Sequence, residues 1–554
     1  MDIVMAARQY ISEMIRLSGP GMKIMIMDKE TTSAVSCVYA QSDVMQKEVY
    51  LFERIDSGAV REPIKHLKCV AFLRPTPENV QLLSEELRSP KYAQYYVYFC
   101  NIISKTDVKT LAEADEQETV REMHEFYLDG VPLCSHLLTL NIAHSYGPTF
   151  SIIPSVFRRS LQSIIAALLA VKKRPSIRYQ ASCRDARRLA DEVAKAIVRE
   201  ESLFESSRPD ALLLIIDRSE DPVTPLLNQW TYEAMVHELL GIKNHRVNME
   251  SVPDAGIVLL SPLQDAFYAK NMYANFGEIG QNIKELMTEF QRKSQTNQKL
   301  ESIADMKNFV EQYPQFRKIS GTVSKHVTVV GELSRIVSAH NLLEVSEVEQ
   351  QVAGDGEHSQ CLNAVRRLLQ QERITDIDAC RLVMLYALRF ETHPNNDIHG
   401  LVQLLKRRGT GIRLTDAVKA VLDFAGASRR QNDLFAGSAM AMTKRFIKGL
   451  KGVENIYTQH EPFICQLLDF LIKGRLSESA YPHVSAQAQQ GVRVDNIILF
   501  IIGGATYEES RAIYLANERR KTSANAPAML LLSTCMLNAK SFIDELISAH
   551  SCAS

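Results

Sequence analysis

The sequence has almost no net charge, one tryptophan and no long apolar run. Its 64 lysines and arginines face 65 aspartates and glutamates, which gives a formal net charge of −1. This balance creates no overall field that would attract nucleic acid or an anionic membrane. No apolar run approaches the roughly 20 residues of a membrane-spanning helix, and the first 19 residues lack a signal-peptide core. We therefore expect a soluble protein that binds no nucleic acid and reaches membranes only through partners.

The cysteine pattern shows no sign of a metal site or a disulfide framework. The ten cysteines form no CxxC pair and no Cys/His cluster with zinc spacing. Several, such as Cys69 and Cys100, lie inside apolar runs typical of strands. They indicate reduced, mostly buried side chains of a cytoplasmic protein.

The common catalytic motifs are absent as well. The sequence contains no GxSxG, GxxxxGK[ST], HExxH or GxGxxG. Asp217 ends an apolar run, and Gly503-Gly504 stands between a strand pattern and a helix pattern, where amides can bind phosphate. We predict a binding protein that is not an enzyme and needs no cofactor or metal. The alternatives are an α/β enzyme that uses the strand ends at Asp217 and Gly503-Gly504, or a helical tethering scaffold.

Strand and helix patterns alternate over the first 135 residues. Apolar, β-prone runs occur at 23–27, 49–54, 69–73 and 95–100, with helical spacing at 78–88 and 108–114, and Phe126 begins a fifth strand. Five strands that are mostly separated by helices are typical of a parallel sheet covered on both faces. We predict that residues 1–135 form a doubly wound α/β domain.

A second α/β unit is divided along the chain. Residues 211–216, 496–502 and 529–532 are short, continuous apolar runs of the buried-strand type. None of them has a neighbouring strand nearby in the sequence. We therefore predict one sheet assembled from 136–245 and 472–554, with almost no strand in the helical insertion between them. Polar, glycine-bearing breaks divide that insertion into 246–355 and 356–471.

The segment after residues 211–216 contains a helix-start pattern. Thr224 precedes Pro225, and a threonine N-cap followed by proline at the first helical position is a favoured combination. The only tryptophan, Trp230, falls on the same helical stripe as Leu226 and Ala234. We predict that Thr224 and Trp230 are structural and anchor this helix on the preceding strand.

Residues 301–344 contain helical patterns on both sides of a proline. Pro314 has no N–H group and disfavours helical geometry at Tyr313, so the pattern predicts that a helix ends there. Apolar residues resume helical spacing beyond it, although two glycines weaken that second helix: Phe316, Ile319, Val323, Val327, Val330, Leu333 and Val337. The segment is either an ordinary hairpin corner or a hinge that can hold two shapes.

Several long strings resemble the SM (Sec/Munc-like) family of SNARE regulators. They are LLLIIDRSEDPVTPLLNQWTYEAMVHELLGI, SIADMKNFVEQYPQFRKISGTVSKHVTVVGELS and IILFIIGGATYEE, and shorter strings such as KIMIMDKETTSAVS extend the similarity. The resemblance implies a three-domain arch with two parallel-sheet α/β domains, the second discontinuous, and a mainly helical inserted domain. It also implies binding of a Qa-SNARE of the syntaxin type and promotion of SNARE complex assembly in vesicle fusion.

The strings are most similar to the vacuolar-sorting branch of that family. This similarity implies a route between endosomes and the trans-Golgi network and a syntaxin of that route. It also implies contact with a vesicle R-SNARE, the assembled SNARE bundle and a FYVE-domain Rab effector. The expected protein is a monomer in the cytoplasm, attached peripherally to Golgi and endosomal membranes through its SNARE partners.

The resemblance also implies three sites. It places the pocket for the syntaxin N-terminal peptide at Val108, Leu111, Phe126 and Tyr127. It places part of the arch cavity at Asp43, Lys47 and Arg54. The hairpin hinge and the template for the vesicle SNARE are implied at Tyr313, Pro314, Phe316, Val323, Val327 and Leu333. On this hypothesis a bent hairpin limits access, and an extended one presents the helix after Pro314.

Overall fold

The described part of the chain contains two large sheets built mainly from parallel strands, a two-stranded hairpin, and a set of helices inserted between strands of the second large sheet. The computed structural model describes residues 1–58, 60–205, 208–253, 255–298, 303–432, 434–435, 460–484, 495–522 and 526–551. For the helical residues 293–298, 303–319, 522 and 551 it describes the backbone alone.

The first sheet has five strands that all pair in parallel, in the order β2-β1-β3-β4-β5. The strands are β1 (Lys23–Met27), β2 (Val49–Arg54), β3 (Lys68–Leu73), β4 (Gln94–Phe99) and β5 (Val120–Glu125). Five helices accompany them: α1 (Ile3–Leu17), α2 (Lys29–Val38), α3 (Gln41–Met45), α4 (Pro77–Arg88) and α5 (Lys105–Ala114). The predicted α/β fold is confirmed, but the prediction that the fifth strand begins at Phe126 is wrong. That strand has already ended at Glu125, because the half-buried residues from Val120 onward pair with β4.

Alternate residues of these strands point to opposite faces, and both faces are covered. On β3, Val70 and Phe72 face one apolar core, whereas Cys69 and Leu73 face another. A strand that is buried on both faces has a continuous apolar sequence, and this explains why the run was recognisable without the structure.

The second sheet joins strands from the two ends of the chain, in the order β6-β7-β13-β12-β9-β8. The remaining strands are β6 (Val131–Cys134), β7 (Leu137–Thr139), β8 (Pro175–Tyr179), β9 (Ala211–Asp217), β10 (Arg246–Asn248), β11 (Ile257–Leu259), β12 (Asn496–Ile502) and β13 (Ala528–Ser533). Strand β12 pairs in parallel with both β9 and β13, so the predicted sheet from two distant segments is confirmed. Its edge pair, β6 with β7, is antiparallel. The limits proposed for the domains stay a prediction.

Helices carry most of the rest of the described chain. They are α6 (Pro154–Ala170), α7 (Arg184–Arg199), α8 (Tyr232–Leu239), α9 (Ala266–Asn271), α10 (Phe276–Gln298), α11 (Ile303–Ala339), α12 (Leu342–Ala353), α13 (His358–Leu369), α14 (Asp376–Phe390), α15 (Ile398–Arg408), α16 (Ile412–Ala425), α17 (Phe463–Ile472), α18 (Tyr507–Thr522) and α19 (Ala539–Ser551). Helix α14 is buried almost all round and packs against α12, α13, α15 and α16. The insertion also contains a short antiparallel hairpin of β10 and β11, which the sequence patterns did not reveal because each strand has three residues.

Helix α11 runs through Pro314 without a break and packs along α10. The prediction that a helix ends at Tyr313 is therefore wrong. Proline costs roughly 3 kcal/mol in a helix interior, but ending the helix would require the unfavourable nucleation of a second one. Although α11 has 37 residues, neither it nor another helix in the described ranges is apolar enough to cross a membrane.

Thr224 is not the N-cap of a long helix. It begins a single 3-10 turn, Thr224–Leu226, and α8 starts only at Tyr232. The side chain of Asp221 accepts hydrogen bonds from the amides of Val223 (3.1 Å) and Thr224 (3.0 Å) and from the Thr224 hydroxyl (2.5 Å). The prediction is wrong because this aspartate performs the capping role three residues earlier, and Thr224 is fully buried beside it.

Trp230 lies before α8 and is buried. Its indole Nε1 donates a hydrogen bond of 2.6 Å to the hydroxyl of Ser346 on α12, and its ring lies 6.1 Å from that of Phe276. Trp230 therefore contacts the inserted helices, and the prediction that it anchors a helix on strand β9 is wrong. The indole needs a polar partner when it is buried, and Ser346 supplies it.

Candidate functional site

Helix α5 lies at one end of the first sheet, next to the edge strand β5. Its N-cap is Ser104, whose hydroxyl accepts a hydrogen bond of 3.0 Å from the amide of Asp107. Val108 is 37% exposed, whereas Leu111 is 1% exposed and packs against the core that contains Val97 and Phe99. Of the two predicted pocket residues on this helix, Val108 is accessible to a partner, whereas Leu111 is buried in the core beneath the helix.

Phe126 lies on the opposite face of the sheet from Leu111. Its ring packs at 5.3 Å from Tyr98 and 5.1 Å from Tyr10, and Tyr98 points away from the face that α5 covers because it alternates with Val97. The hydroxyl of Tyr127 donates to Glu125 at 2.9 Å, and burial followed by that carboxylate raises the pKa of Tyr127. The four predicted residues therefore do not form one groove, and the grouping of Leu111 with Phe126 is wrong.

Met123 lies in the place beside α5 that the resemblance implies for Phe126. It pairs with Val97 across the strands, is half-buried and packs against the core that includes Leu111. Leu111 and Met123 thus share one apolar core, and the exposed Val108 lies one helical turn before Leu111. We call these three residues the α5 patch. Period-two spacing does not reveal Met123, because a register shift between Val120 and Glu122 lets Val120 and Met123, three residues apart, pack against the same core.

The predicted cavity residues gather at the other edge of the same sheet. Asp43 lies on α3, Lys47 follows that helix, and Arg54 ends the edge strand β2 and donates to Asp56 at 2.9 Å. Two large side chains of this strand are exposed, Tyr50 by 45% and Leu51 by 38%. The sheet therefore presents polar and apolar groups at both edges, and the assignment of this edge to the arch cavity stays a prediction.

The core-facing side of α11 differs from the predicted stripe. Leu333 is fully buried in a core with Trp230 and Val329, whereas Val327 is 39% exposed and Val323 is half-buried. Leu333 is therefore unavailable to a partner, and its prediction as a template residue is wrong. Leu333 lies one helical turn after the buried Val329, so both side chains are on the side of α11 that faces the core. The side chains of Tyr313, Pro314 and Phe316 lie outside the described residues.

A buried histidine, His326, anchors α11 to the protein core, and we call the part of the helix around it the base of α11. His326 is fully buried, and its ring nitrogens lie 2.7 Å from the hydroxyl of Tyr232 and 2.9 Å from the carboxylate of Asp265. Lys325 also pairs with Asp265, and these bonds with His326 and Lys325 lower the pKa of that carboxyl although burial opposes them. No motif in the sequence marks this anchor, although His326, Val330 and Leu333 share one helical stripe.

The strand ends proposed for the alternative enzyme site are filled by the protein itself. Gly503 and Gly504 have φ angles of 84° and 104°, and a Cβ on Gly503 would overlap the Tyr146 ring. The Tyr146 hydroxyl donates to Asp217 at 2.6 Å. The carboxylate of Glu509 occupies the first turn of α18, where it accepts from the amide of Thr506 at 2.8 Å. The alternative is therefore contradicted at these residues, because neither glycine leaves room for a phosphate.

The acidic residues near this point form internal bonds. Arg218 and Glu509, both 1% exposed, form a two-pronged ion pair with distances of 2.8 Å. Glu220 accepts a hydrogen bond of 2.6 Å from the Tyr481 hydroxyl. In the described part of the chain, no three histidine, cysteine or acidic side chains are grouped closely enough to hold a metal ion.

Comparison with known proteins gives consistent matches along nearly the whole chain. The model of the Sec1 family matches residues 23–545. Vacuolar protein sorting-associated protein 45 of Homo sapiens is 53% identical, in an alignment that covers 99% of this chain and 96% of the human protein. The protein of the same name from Saccharomyces cerevisiae is 34% identical, in an alignment that covers 95% of this chain and 94% of the yeast protein. A solved structure described as SM protein Vps45 in complex with the Qa SNARE Tlg2 has a TM-score of 0.91 and 44% identity, and covers 100% of this chain and 99% of that one.

Proposed function

This chain belongs to the Sec1 family, and from that premise we propose that it binds a Qa-SNARE of the syntaxin type and promotes SNARE complex assembly in vesicle fusion. The observation that carries the proposal is the similarity, over the full length, to the structure of Vps45 bound to the Qa SNARE Tlg2. The high identity to the vacuolar-sorting relatives supports a route between endosomes and the trans-Golgi network. The protein acts by binding, and the proposal contains no catalytic step.

The α5 patch is the proposed pocket for the N-terminal peptide of the syntaxin. Val108 is exposed at the surface, while Leu111 and Met123 give the patch an apolar base. One apolar peptide side chain buried there contributes roughly 1.5–3 kcal/mol. Such a contact corresponds to a tether, so a larger contact elsewhere must supply most of the affinity. Phe126 and Tyr127 stabilise the neighbouring sheet edge from its other face.

The larger contact is proposed at the opposite edge of the first sheet. Asp43, Lys47 and Arg54 supply both charge signs around β2, and the exposed side chains of Tyr50 and Leu51 supply apolar area. Aromatic residues and arginine are enriched in protein interfaces, and polar residues form the rim of such interfaces. An extended or helical segment of the Qa-SNARE would cover this edge strand.

Helix α11 is the proposed template for a vesicle R-SNARE. It is long, continuous and exposed at Val327, and His326 holds its base. The continuity of α11 through Pro314 supports the extended form of the hairpin hypothesis. We further propose a monomeric protein in the cytoplasm that associates with Golgi and endosomal membranes through SNAREs and a FYVE-domain Rab effector.

A calorimetric titration with the N-terminal peptide of a trans-Golgi syntaxin tests the proposed pocket. Val108→Arg is expected to abolish peptide binding, because a charge replaces the accessible apolar wall, and to leave the fold intact because the side chain is exposed. The matched control is Val198→Arg on α7, where valine is 67% exposed. Equal peptide affinity for both variants would remove the pocket assignment. Failure of the wild type to bind any Qa-SNARE, with or without its peptide, would remove the proposed function and favour a scaffold.

A further inference from the structure

The first sheet has a strand order that places a ligand site at a defined point. In the order β2-β1-β3-β4-β5, the chain direction across the sheet reverses between β1 and β3. Doubly wound sheets of this order bind ligands in the crevice at the carboxyl ends of those two strands. Lys29 follows β1, and Arg74 follows β3.

A cavity of about 110 Å³ opens at this crevice. Its lining includes Lys29 and Arg74, which follow strands of the first sheet, as well as Arg159 of α6 and Lys243 of the turn before β10. Water has a share of about 30 Å³ in the liquid, so the cavity has room for a small polyatomic ion with a few waters. Four cationic side chains from four distant parts of the chain therefore surround one volume.

The two arginines are held in place by one buried carboxylate. Asp129, with a side chain that is 1% exposed, pairs with Arg74 Nε at 3.1 Å and with Arg159. Burial alone would raise the pKa of Asp129, but the charges of Arg159 and Arg74 outweigh it and the net shift is downward. Each guanidinium has five N–H donors, and Asp129 occupies only part of them. The arginines are thus oriented while they keep donors for a second acceptor.

The two lysines have no ion-pair partner in the described ranges. Lys29 and Lys243 line the cavity and are exposed. The carboxylates that face this space are Asp129, which both arginines share, and Glu30, an exposed residue of the first turn of α2. Among the lining side chains, four cations therefore face two carboxylates. The buried Asp28 behind them, which accepts a hydrogen bond of 2.7 Å from the amide of Arg74, adds a third negative charge, and positive charge remains in excess.

Strained backbone borders the same cavity. Asn141, Asn244 and His245 adopt left-handed φ angles of 53°, 51° and 62°, and Asn141 and Asn244 are joined by a side-chain hydrogen bond of 2.7 Å. Such conformations cost energy and concentrate at ligand sites and switch regions. Here they hold the chain around Lys243 against the second sheet, where His245 bonds to the carbonyl of Leu133 at 2.7 Å.

We propose that this switch-point cavity binds a small multivalent anion of the phosphate type, held by Lys29, Arg74, Arg159 and Lys243. Recognition would rely on side chains, because two amides at the start of α2, those of Lys29 and Thr31, are already engaged. Asp28 accepts from the amide of Thr31 at 2.8 Å, and Asp56 accepts from the amide of Lys29 at 3.2 Å. This separates the site from a glycine-rich phosphate loop, in which backbone amides bind the anion.

The position of the cavity gives the anion a structural effect. Lys29 and Arg74 belong to the first sheet's domain, whereas Arg159 and Lys243 follow the connection into the second sheet. An anion that contacts both pairs would bridge the two α/β units and bias their relative orientation. This inference is independent of the SNARE-binding proposal.

Titration of the full-length protein with pyrophosphate tests the site. The expected result is saturable binding of one pyrophosphate per chain, with an affinity that falls as salt concentration rises. The double variant Lys29→Gln/Lys243→Gln should lose at least tenfold in affinity, and Glu30→Gln should gain. The matched control, Lys406→Gln/Lys419→Gln, removes two exposed lysines from α15 and α16 and should bind like the wild type.

Three ligand arms distinguish the source of the phosphate group. Pyrophosphate represents a free anion, inositol trisphosphate a soluble headgroup, and vesicles with phosphatidylinositol phosphates a lipid surface. If pyrophosphate or inositol trisphosphate binds more tightly than the vesicles do, the result supports the cavity as the anion site. Vesicle binding that survives the Lys29/Lys243 double variant would place a lipid contact elsewhere. The proposal is overturned if the wild type shows no saturable binding in any arm, or if both double variants weaken binding equally.

Discussion

Glu233 is buried and pairs with no cation among the residues that the structure describes, and replacing it with glutamine should stabilise the protein at neutral pH. It lies in the first turn of α8 and is 5% exposed, and its carboxylate accepts a hydrogen bond of 3.1 Å from the Tyr268 hydroxyl. Burial raises the pKa of Glu233 from 4.5 to about 8, and the bond from Tyr268 only partly opposes the shift. Glutamine keeps an oxygen for Tyr268 and has no proton to lose.

The sign of the effect follows from proton binding. Between pH 4.5 and about 8, the folded protein keeps the Glu233 proton while the unfolded chain loses it. Unfolding then releases a proton, so the free energy of unfolding falls as pH rises, by about 1.4 kcal/mol per pH unit. By pH 7 the accumulated loss is about 3 kcal/mol, and Glu233→Gln should recover an amount of that order.

The measurement is urea unfolding followed by circular dichroism at several pH values from 5 to 8. When the unfolding free energy of the wild type is subtracted from that of Glu233→Gln, the contributions of all titrating groups that both proteins share cancel. That difference should grow in favour of the variant as pH rises. Glu347→Gln, at an exposed position of α12, is the control and should show no such growth. A difference that stays constant with pH, or a variant that is less stable at pH 7, would refute the argument.

Three further substitutions test other parts of the structure. Leu111→Ala should cost about 2–5 kcal/mol because it opens a cavity under α5, whereas Val108→Ala should cost far less; equal losses in a melting experiment would contradict the placement of the two residues. His326→Ala should leave the hydroxyl of Tyr232 without a partner, at a cost of about 1–3 kcal/mol, and faster hydrogen exchange confined to the base of α11 would show it. Gly503→Ala should destabilise the protein by more than 1 kcal/mol because its φ is positive and Tyr146 fills the space; a wild-type melting temperature would be inconsistent with that packing.

The sheets were largely predictable from the sequence because their strands are buried on both faces. Residues 211–216 and 496–502 are unbroken apolar runs, and the structure places β9 and β12 there as neighbours. A fully buried strand requires apolar residues at every position, so composition alone marks it. The three-residue strands β10 and β11 offer too few positions for such a pattern.

Predictions from local sequence preferences were wrong where contacts with other side chains determined the structure. Pro314 ends a helix by local preference, but α11 continues through it while packing along α10. Thr224 has the pattern of an N-cap, yet the carboxylate of Asp221 already satisfies the nearby amides. Propensity describes an isolated segment, and tertiary contacts of a few kcal/mol are enough to override it.

The sites were less predictable than the fold because they combine residues from distant positions. The family resemblance implies Val108 as a pocket residue, and this stays a prediction. Its grouping with Phe126 is wrong because one misplaced strand end exchanges the two faces of a sheet. The cavity between Lys29 and Lys243 depends on the topology of the first sheet and on the connection to the second. No local pattern links these two lysines.

The position of Trp230 makes the protein its own optical reporter. It is the only tryptophan of the chain, and its indole is buried where the segment before α8 meets α12, with a hydrogen bond to Ser346. Emission excited selectively from tryptophan therefore originates at one junction between the second sheet's unit and the inserted helices. A shift of that emission to longer wavelength on addition of a partner would report the opening of this junction. An unchanged spectrum during binding at the α5 patch would show that the two places are mechanically separate.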